Sequence, residues 1–193
     1  MALVLNGSAN TIGGLAVGGL PDGIVDTDMI AANAVTASKR GAGAILQVIH
    51  NTVAGSSLNN TTSTTHSDTG LSIDITPSST SSKIFITLAV RVYIHSGGGD
   101  TGSFFSIKRK IDSGSYSLLA NLTSADDQML TYVSGGSADA VEALNPVQLI
   151  HYDAPSTTGV CTYKLTFAAG AGGTVSLSGS DRNAIATAWE IAG

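Results

Sequence analysis

Charged side chains are scarce in this sequence, and their scarcity argues against several classes of function. They make up 12% of the 193 residues, about half of the share of about 25% that is usual in soluble domains. Nine basic and fourteen acidic residues give a net charge of −5. Nucleic-acid binding requires clustered Lys and Arg side chains that displace counterions from phosphates. We therefore expect no nucleic-acid partner.

One tight basic run is present, Lys108-Arg109-Lys110. Alternation along a strand would place Lys108 and Lys110 on one face and Arg109 on the other. Such a split is typical of a solvated sheet edge, where lysines discourage pairing with other chains. We interpret the run as such an edge rather than as a phosphate site.

Cysteine and long apolar runs are also nearly absent. Cys161 is the single cysteine, so an intrachain disulfide is excluded. It shares a predicted strand face with Tyr163, Leu165 and Phe167, which indicates a small core residue rather than a nucleophile. No apolar run reaches the roughly 18 residues that cross a bilayer, and the N-terminus lacks the basic flank of a signal peptide. We expect no membrane insertion, and either retention in a cytosol or exit by another route.

Motifs of catalysis and metal binding are missing as well. The sequence contains no GxSxG elbow, no P-loop and no HExxH. The Asp26/Asp28 and Asp126/Asp127 pairs lack the frame of a calcium loop. Metal-ligand spacing is also absent among the four histidines, which are His50, His66, His95 and His151. We expect a non-enzymatic protein with no cofactor and no metal.

Aromatic residues amount to only 5% of the chain. All tyrosines and the tryptophan lie in predicted strands, where packing in a core or an interface is more common than stacking against a sugar ring. A lectin-like carbohydrate-binding head is therefore the third hypothesis, behind two structural ones.

Glycine, serine and threonine are plentiful, and from Ile45 onward apolar residues recur with the period of two that is typical of β-strands. Short strands separated by turn-forming residues, with almost no helix, predict an all-β, jelly-roll-like β-sandwich head over residues 45–193. A polar edge strand is expected at Thr61–Thr65. The other predicted strands cover residues 71–76, 83–94, 104–111, 115–119, 129–133, 147–152, 160–167, 174–177 and 185–191.

The strand at Lys83–Ile94 has the clearest pattern. Alternate residues from Ile84 to Ile94 line one face, which should form the core. The opposite face carries Phe85 and Tyr93 and is too apolar for plain solvent, so it predicts contact with a neighbouring subunit. We take Phe85, Tyr93 and Trp189 as candidate residues of this subunit interface, which the resemblance described below implies is a trimer interface.

Residues 1–44 have a different composition and predict an extended, glycine-rich stem that ends in a hinge at Gly41–Ala44. The first twenty residues carry no charge, and each large apolar side chain left in water forgoes on the order of 2 kcal/mol. The segment should therefore be buried against another molecule. Short helical turns are expected near residues 26–30 and 36–39. The candidate assembly and anchor residues are Leu3, Val4, Leu5, Ile12, Leu15, Val17, Leu20, Ile24, Met29 and Ile30.

The stretch GLPDGIVDTDMIAANAVTASKR, residues 19–40, resembles the stem-to-head junction of tail-fibre-like virion proteins of tailed bacteriophages. The head is similar too, in TGLSIDITPSSTSSKI at residues 69–84 and in Trp189-Glu190-Ile191. The resemblance implies a homotrimeric fibre or spike on a virion, made in the host cytoplasm. Its outer loops, near residues 97–102, 124–128 and 134–139, would meet a glycan or protein of the host surface.

The segment before this junction is short, because only residues 1–19 precede it. Fibres of the kind that it resembles usually have a longer anchor and shaft. A short head fibre or capsid decoration protein, docked on other virion proteins through residues 1–20, is therefore the second hypothesis.

Overall fold

The computed structural model describes residues 4–6, 11–13, 35, 39–96, 100–119, 128–133, 141–170, 172–177 and 183–193. The chain divides into two compact units, residues 1–40 and residues 41–193. In the first unit, β1 (Val4–Asn6) pairs antiparallel with β2 (Thr11–Gly13). The helical turns expected in this unit lie almost wholly outside the described residues, and the stem stays a prediction.

The second unit is built from strands, which confirms the predicted all-β class. Its one described helical element is a 3₁₀ turn at Gly55–Ser57, and no helix in the described ranges is long and apolar enough to span a membrane. The strands are β3 (Ile45–Val53), β4 (Asn60–Thr61), β5 (Ser67–Ile75), β6 (Lys83–Ser96), β7 (Thr101–Ile111), β8 (Ser117–Leu118), β9 (Gln128–Val133), β10 (Val141–Asp153), β11 (Cys161–Ala169), β12 (Gly173–Leu177) and β13 (Ala184–Ile191).

These strands form two antiparallel sheets, as expected for a β-sandwich. The first sheet has the order β3-β13-β6-β12-β4, and β10 pairs with the other side of β6. The second sheet has the order β5-β11-β7, and β8 and β9 share the far side of β7. The chain crosses repeatedly between the sheets, from β5 to β6 to β7 and from β9 to β10 to β11, so each sheet contains residues distant in sequence.

The core lies between the two sheets and follows the predicted alternation. On β6, every second side chain from Ile84 to Ile94 is at most 4% exposed. Cys161, Tyr163, Leu165 and Phe167 of β11 face them from the second sheet and are fully buried. The prediction that Cys161 is a small core residue is therefore confirmed. Burial of each large apolar side chain contributes on the order of 2 kcal/mol.

The predicted edge strand at Thr61–Thr65 is wrong beyond its first residue, since β4 ends at Thr61. Here the side chains take over backbone hydrogen bonds: Ser63 N donates to Thr61 Oγ1 at 3.1 Å, and Thr65 N donates to Ser63 Oγ at 3.0 Å. Ser and Thr hydroxyls compete with strand pairing in this way. The segment leaves the sheet edge, and Ala169 N donates to the Ser63 carbonyl at 2.8 Å.

Candidate functional site

A row of apolar side chains crosses four strands on the outer face of the first sheet. Trp189 of β13 lies opposite Val48 of β3 on one side and Phe85 of β6 on the other. Phe85 in turn lies opposite Tyr152 of β10. The Phe85 and Trp189 ring centroids are 5.4 Å apart and the rings are tilted by 54°. We call these four residues the aromatic row.

The two ends of the aromatic row are open to solvent. Val48 is 51% exposed and Tyr152 is 56% exposed. Further exposed aliphatic residues surround the row on the same face: Ile45, Ile150 and Ile185. Together with the aromatic row they form the outer apolar face. A group of large apolar residues that share one exposed face indicates a contact surface for another molecule.

The polar residues in the middle of the outer apolar face are neutral, and the charged side chains of Lys83 and Arg91 lie at its margins. In the next cross-strand row, Thr187 lies opposite His50 and Thr87, and Thr87 lies opposite Ile150. His50 Nδ1 is 3.2 Å from Thr187 Oγ1, and its Nε2 is 3.0 Å from Thr52 Oγ1. These hydrogen bonds hold the imidazole within the sheet surface, so it does not prevent close approach of a partner.

The structure brings together two of the three predicted interface residues. Phe85 and Trp189 touch, whereas Tyr93 lies eight residues further along β6, opposite Leu144 and Ser176. Whether any of the three forms a subunit contact stays a prediction. Val48, Ile150 and Tyr152 were missed, although outward residues of β3 and β10 alternate with inward ones and are themselves apolar, which was a usable signal.

The candidate anchor residues belong to the first unit. Val4 and Leu5 lie in β1, and Ile12 lies in β2 opposite Leu5. The others lie outside the described residues, and they are Leu3, Leu15, Val17, Leu20, Ile24, Met29 and Ile30. The loops expected to face a host also lie largely outside, at residues 97–99, 124–127 and 134–139.

The interpretation of Lys108–Lys110 as a solvated edge is wrong. β7 lies inside the second sheet, between β11 and β8. Arg109 faces inward, and its Nη1 donates to both carboxylate oxygens of Asp153, at 2.9 and 2.7 Å. Tyr163 OH donates to Asp153 Oδ2 at 2.7 Å. Arg109 and Tyr163 come from the second sheet and Asp153 from the first, so the group connects the two sheets.

Burial and hydrogen bonding determine the charge states around this ion pair. Burial raises the pKa of Tyr163 far above its usual value, and the hydrogen bond to Asp153 raises it further. Burial by itself lowers the pKa of the Arg109 guanidinium. The hydrogen bond to Asp153 and the negative charge of Asp153 outweigh burial, and the pKa is raised. Burial lowers the pKa of the neighbouring His151. The arrangement keeps an ion pair between the two sheets, with the guanidinium and the carboxylate both charged.

A second surface feature is a groove of about 470 Å³ on the outer face of the second sheet. Its floor includes Ser106, whose Oγ lies 3.1 Å from His66 Nδ1 and 2.8 Å from Thr166 Oγ1. A serine beside a histidine is one part of a nucleophilic triad. Here a threonine hydroxyl, not a carboxylate, is the third partner, and Ser106 is only 2% exposed. The geometry is that of a packed hydrogen-bonded floor. We call this site the polar groove.

Two further observations concern metal binding and the reactivity of the cysteine. In the described part of the chain, no group of three or more His, Cys, Asp or Glu side chains could hold a metal ion. Burial raises the pKa of the Cys161 thiol, which lowers its nucleophilicity at neutral pH because the thiolate is the reactive form.

A scan against protein-family models gives no match, and a search of the curated proteins gives none. Solved structures of infectious bursal disease virus do match. A chain of the virus, Gt strain, has 10% identity and a TM-score of 0.32, over 77% of this chain and 39% of that chain. The VP2 subviral particle has 9% identity and a TM-score of 0.30, over 77% and 39%. The match spans about two fifths of each viral chain, and TM-scores this low support no inference about function.

Proposed function

We propose that this chain is a virion structural protein, the subunit of a trimeric fibre or spike whose heads associate through the outer apolar face. The aromatic row carries the proposal, because it places four large apolar residues side by side on one sheet surface and leaves Val48 51% and Tyr152 56% exposed. The resemblance of residues 19–40 to a stem-to-head junction supports the virion setting.

The size of the outer apolar face is sufficient for an interface. Four strands about 4.8 Å apart give a width of about 19 Å, and four outward rows about 6.6 Å apart give a length of about 26 Å. The resulting planar area is about 500 Å² per subunit, so the three faces of a trimer together bury about 1,500 Å², against a lower limit of about 1,000 Å² for a specific interface. Its central rows are neutral and largely apolar, as in an interface core, and its charged residues, Lys83 and Arg91, lie at the margins.

Light scattering coupled to size-exclusion chromatography tests the association. We expect the full chain to elute with three times the mass of one subunit. Tyr152→Asp places a carboxylate at the rim of the aromatic row, where a partner would desolvate it, and it should yield a folded monomer. Leu118→Asp is the matched control, because Leu118 is also exposed but belongs to the second sheet. The proposed interface is contradicted if the wild-type chain is a monomer. It is also contradicted if Tyr152→Asp and Leu118→Asp both remain trimeric.

A capsid decoration or head-fibre protein is the second candidate function. It is favoured by the uncharged first twenty residues, which would dock on capsid subunits. In this arrangement the head coats or stiffens the shell, and host contact is not required. The two functions differ in what the N-terminal segment binds.

A further inference from the structure

The polar groove combines several chemical groups within one open site. The residues that line it supply hydroxyls, an imidazole, an ammonium group, a phenol ring and an aliphatic side chain. They are Thr64, Thr65, His66, Ser106, Lys108, Tyr116 and Leu118. The volume of about 470 Å³ lies within the range of about 300–1,000 Å³ that is typical of small-ligand sites.

The floor of the groove is held rigidly. Ser106 and Thr166 point outward from β7 and β11, yet both are only 2% exposed, because the segment that ends at His66 folds over them. Their side chains and His66 Nδ1 form a closed triangle of contacts at 2.8, 3.1 and 3.2 Å. A site supported by such interlocked hydrogen bonds needs little reorganisation to bind a ligand.

The charge of Lys108 is the distinguishing feature of the groove. Lys108 lies directly opposite Lys164 on the neighbouring strand, and like charges in that position are destabilising. Lys164 is compensated, because its Nζ lies 2.8 Å from Asp68 Oδ2 and 4.0 Å from the Tyr116 ring centroid. For Lys108, the described residues provide no hydrogen bond or ion pair to the side chain. An anion in the groove would supply the missing charge.

Other ionic groups on this sheet face lie at its margins. Lys110 lies two residues after Lys108 on the same face of β7, and its Nζ is 5.4 Å from the Tyr116 ring centroid. Asp74 lies on β5, two strands away from Lys110 and opposite Thr162. Three of the nine basic residues of the chain thus share this face, although the protein as a whole is acidic.

We propose that the polar groove binds an acidic sugar residue, a hexose-sized ring that carries a carboxylate. Lys108 pairs with the carboxylate, the Thr64 and Thr65 hydroxyls bond ring hydroxyls, and Tyr116 and Leu118 contact the carbon-bound hydrogens of the ring. A glycan rather than a bare anion is favoured because most of the lining consists of neutral hydroxyl and apolar groups. The proposal does not depend on the oligomeric state.

Isothermal titration calorimetry on the full chain tests it with three probes: tetragalacturonate, its methyl ester and sodium phosphate. We expect the acidic oligosaccharide to bind at least about ten-fold more tightly than the ester, since a charge-assisted hydrogen bond is lost with the charge. Phosphate should bind more weakly than the acidic oligosaccharide. The proposal is overturned if tetragalacturonate does not bind. It is also overturned if the methyl ester or phosphate binds as tightly as tetragalacturonate.

Variants locate the site. Lys108→Gln should weaken tetragalacturonate binding at least about ten-fold, and Thr65→Ala should weaken it by a smaller factor. Lys110→Gln removes the same charge from the same strand, one residue pair outside the groove, and should weaken binding by a smaller factor than Lys108→Gln, because Lys110 contacts the groove only through the Tyr116 ring. Equal losses from both lysine variants would indicate attraction by the basic face alone and contradict a built site. The chromatographic mass reports on the trimer separately, so either proposal can fail while the other stands.

Discussion

At the scale of single residues, Asp153 joins the polar group that connects the two sheets. Its carboxylate accepts hydrogen bonds from Arg109, from Tyr163 OH and from the backbone N–H of Ala154, the last at 2.8 Å. The side chains of Arg109 and Asp153 are only 20% and 9% exposed. Removing one partner of a buried charge pair is strongly destabilising, because the other charge is left buried without a counter-charge.

Asp153→Asn should therefore lower the free energy of unfolding by about 2–4 kcal/mol, because Arg109 keeps its charge in a desolvated site. Urea denaturation followed by tryptophan fluorescence measures the loss. Asp68→Asn is the control, since the Asp68–Lys164 pair is exposed at the carboxylate and should contribute less than about 1 kcal/mol. Similar losses for the two variants would contradict a special role for Asp153.

At the scale of elements, Glu190 of β13 holds the connection between β5 and β6 in place. The side chain is fully buried. Its Oε1 accepts from Ser78 N, Ser78 Oγ and Ser82 Oγ at 2.6–2.7 Å, and its Oε2 accepts from Gln47 Nε2 at 2.6 Å. Burial alone would raise the pKa of Glu190, but the bonds from Ser82, Ser78 and Gln47 outweigh it and the pKa is lowered.

The lowered pKa predicts a pH dependence of stability. The stabilisation by Glu190 is fully present above the unfolded pKa of about 4.3 and is lost as the pH falls through the lower folded value. Glu190→Gln should be less stable than wild type at pH 7, and the difference should shrink below about pH 4. Denaturation from pH 7 to pH 3 measures this. Asp74→Asn, an exposed carboxylate on β5, is the control, and a constant difference between wild type and Glu190→Gln would contradict the prediction.

At the scale of the whole molecule, the described hydrophobic core is contained in the second unit. Every residue of the core cluster lies between Leu58 and Ala188. The outer apolar face belongs to the same unit, whereas the uncharged segment belongs to the first. The proposed association and the proposed anchoring therefore involve different parts of the chain, so truncation can separate them.

Removal of residues 1–44 should leave a folded head that remains trimeric, because the core and the outer apolar face are retained. Thermal melting and light scattering measure both properties. If residues 1–20 dock on other virion proteins, the truncated trimer should no longer cosediment with particles. A truncated chain that is monomeric would place the trimer contacts in the N-terminal segment, and one that still joins particles would contradict the anchor.

The local pattern of the sequence was sufficient to identify most strands and the core. Side chains alternate between the faces of a strand with a period of two, so the buried positions of β6 and β11 follow from neighbouring residues alone. The first part of β10 was missed: the strand begins at Val141, six residues before the predicted start. It contains Pro146, which a strand tolerates at a sheet edge, and in the described sheet β10 pairs only with β6.

The sequence by itself determined that this protein is an all-β sandwich with few charges and an apolar second face on its longest strand. Only the tertiary structure decided that Arg109 turns inward to Asp153, that Val48 and Tyr152 extend the contact between Phe85 and Trp189, and that His66 covers Ser106. Alternation is a property of adjacent residues. Each of these contacts joins strands far apart in the chain, and strand order and register determine which residues meet.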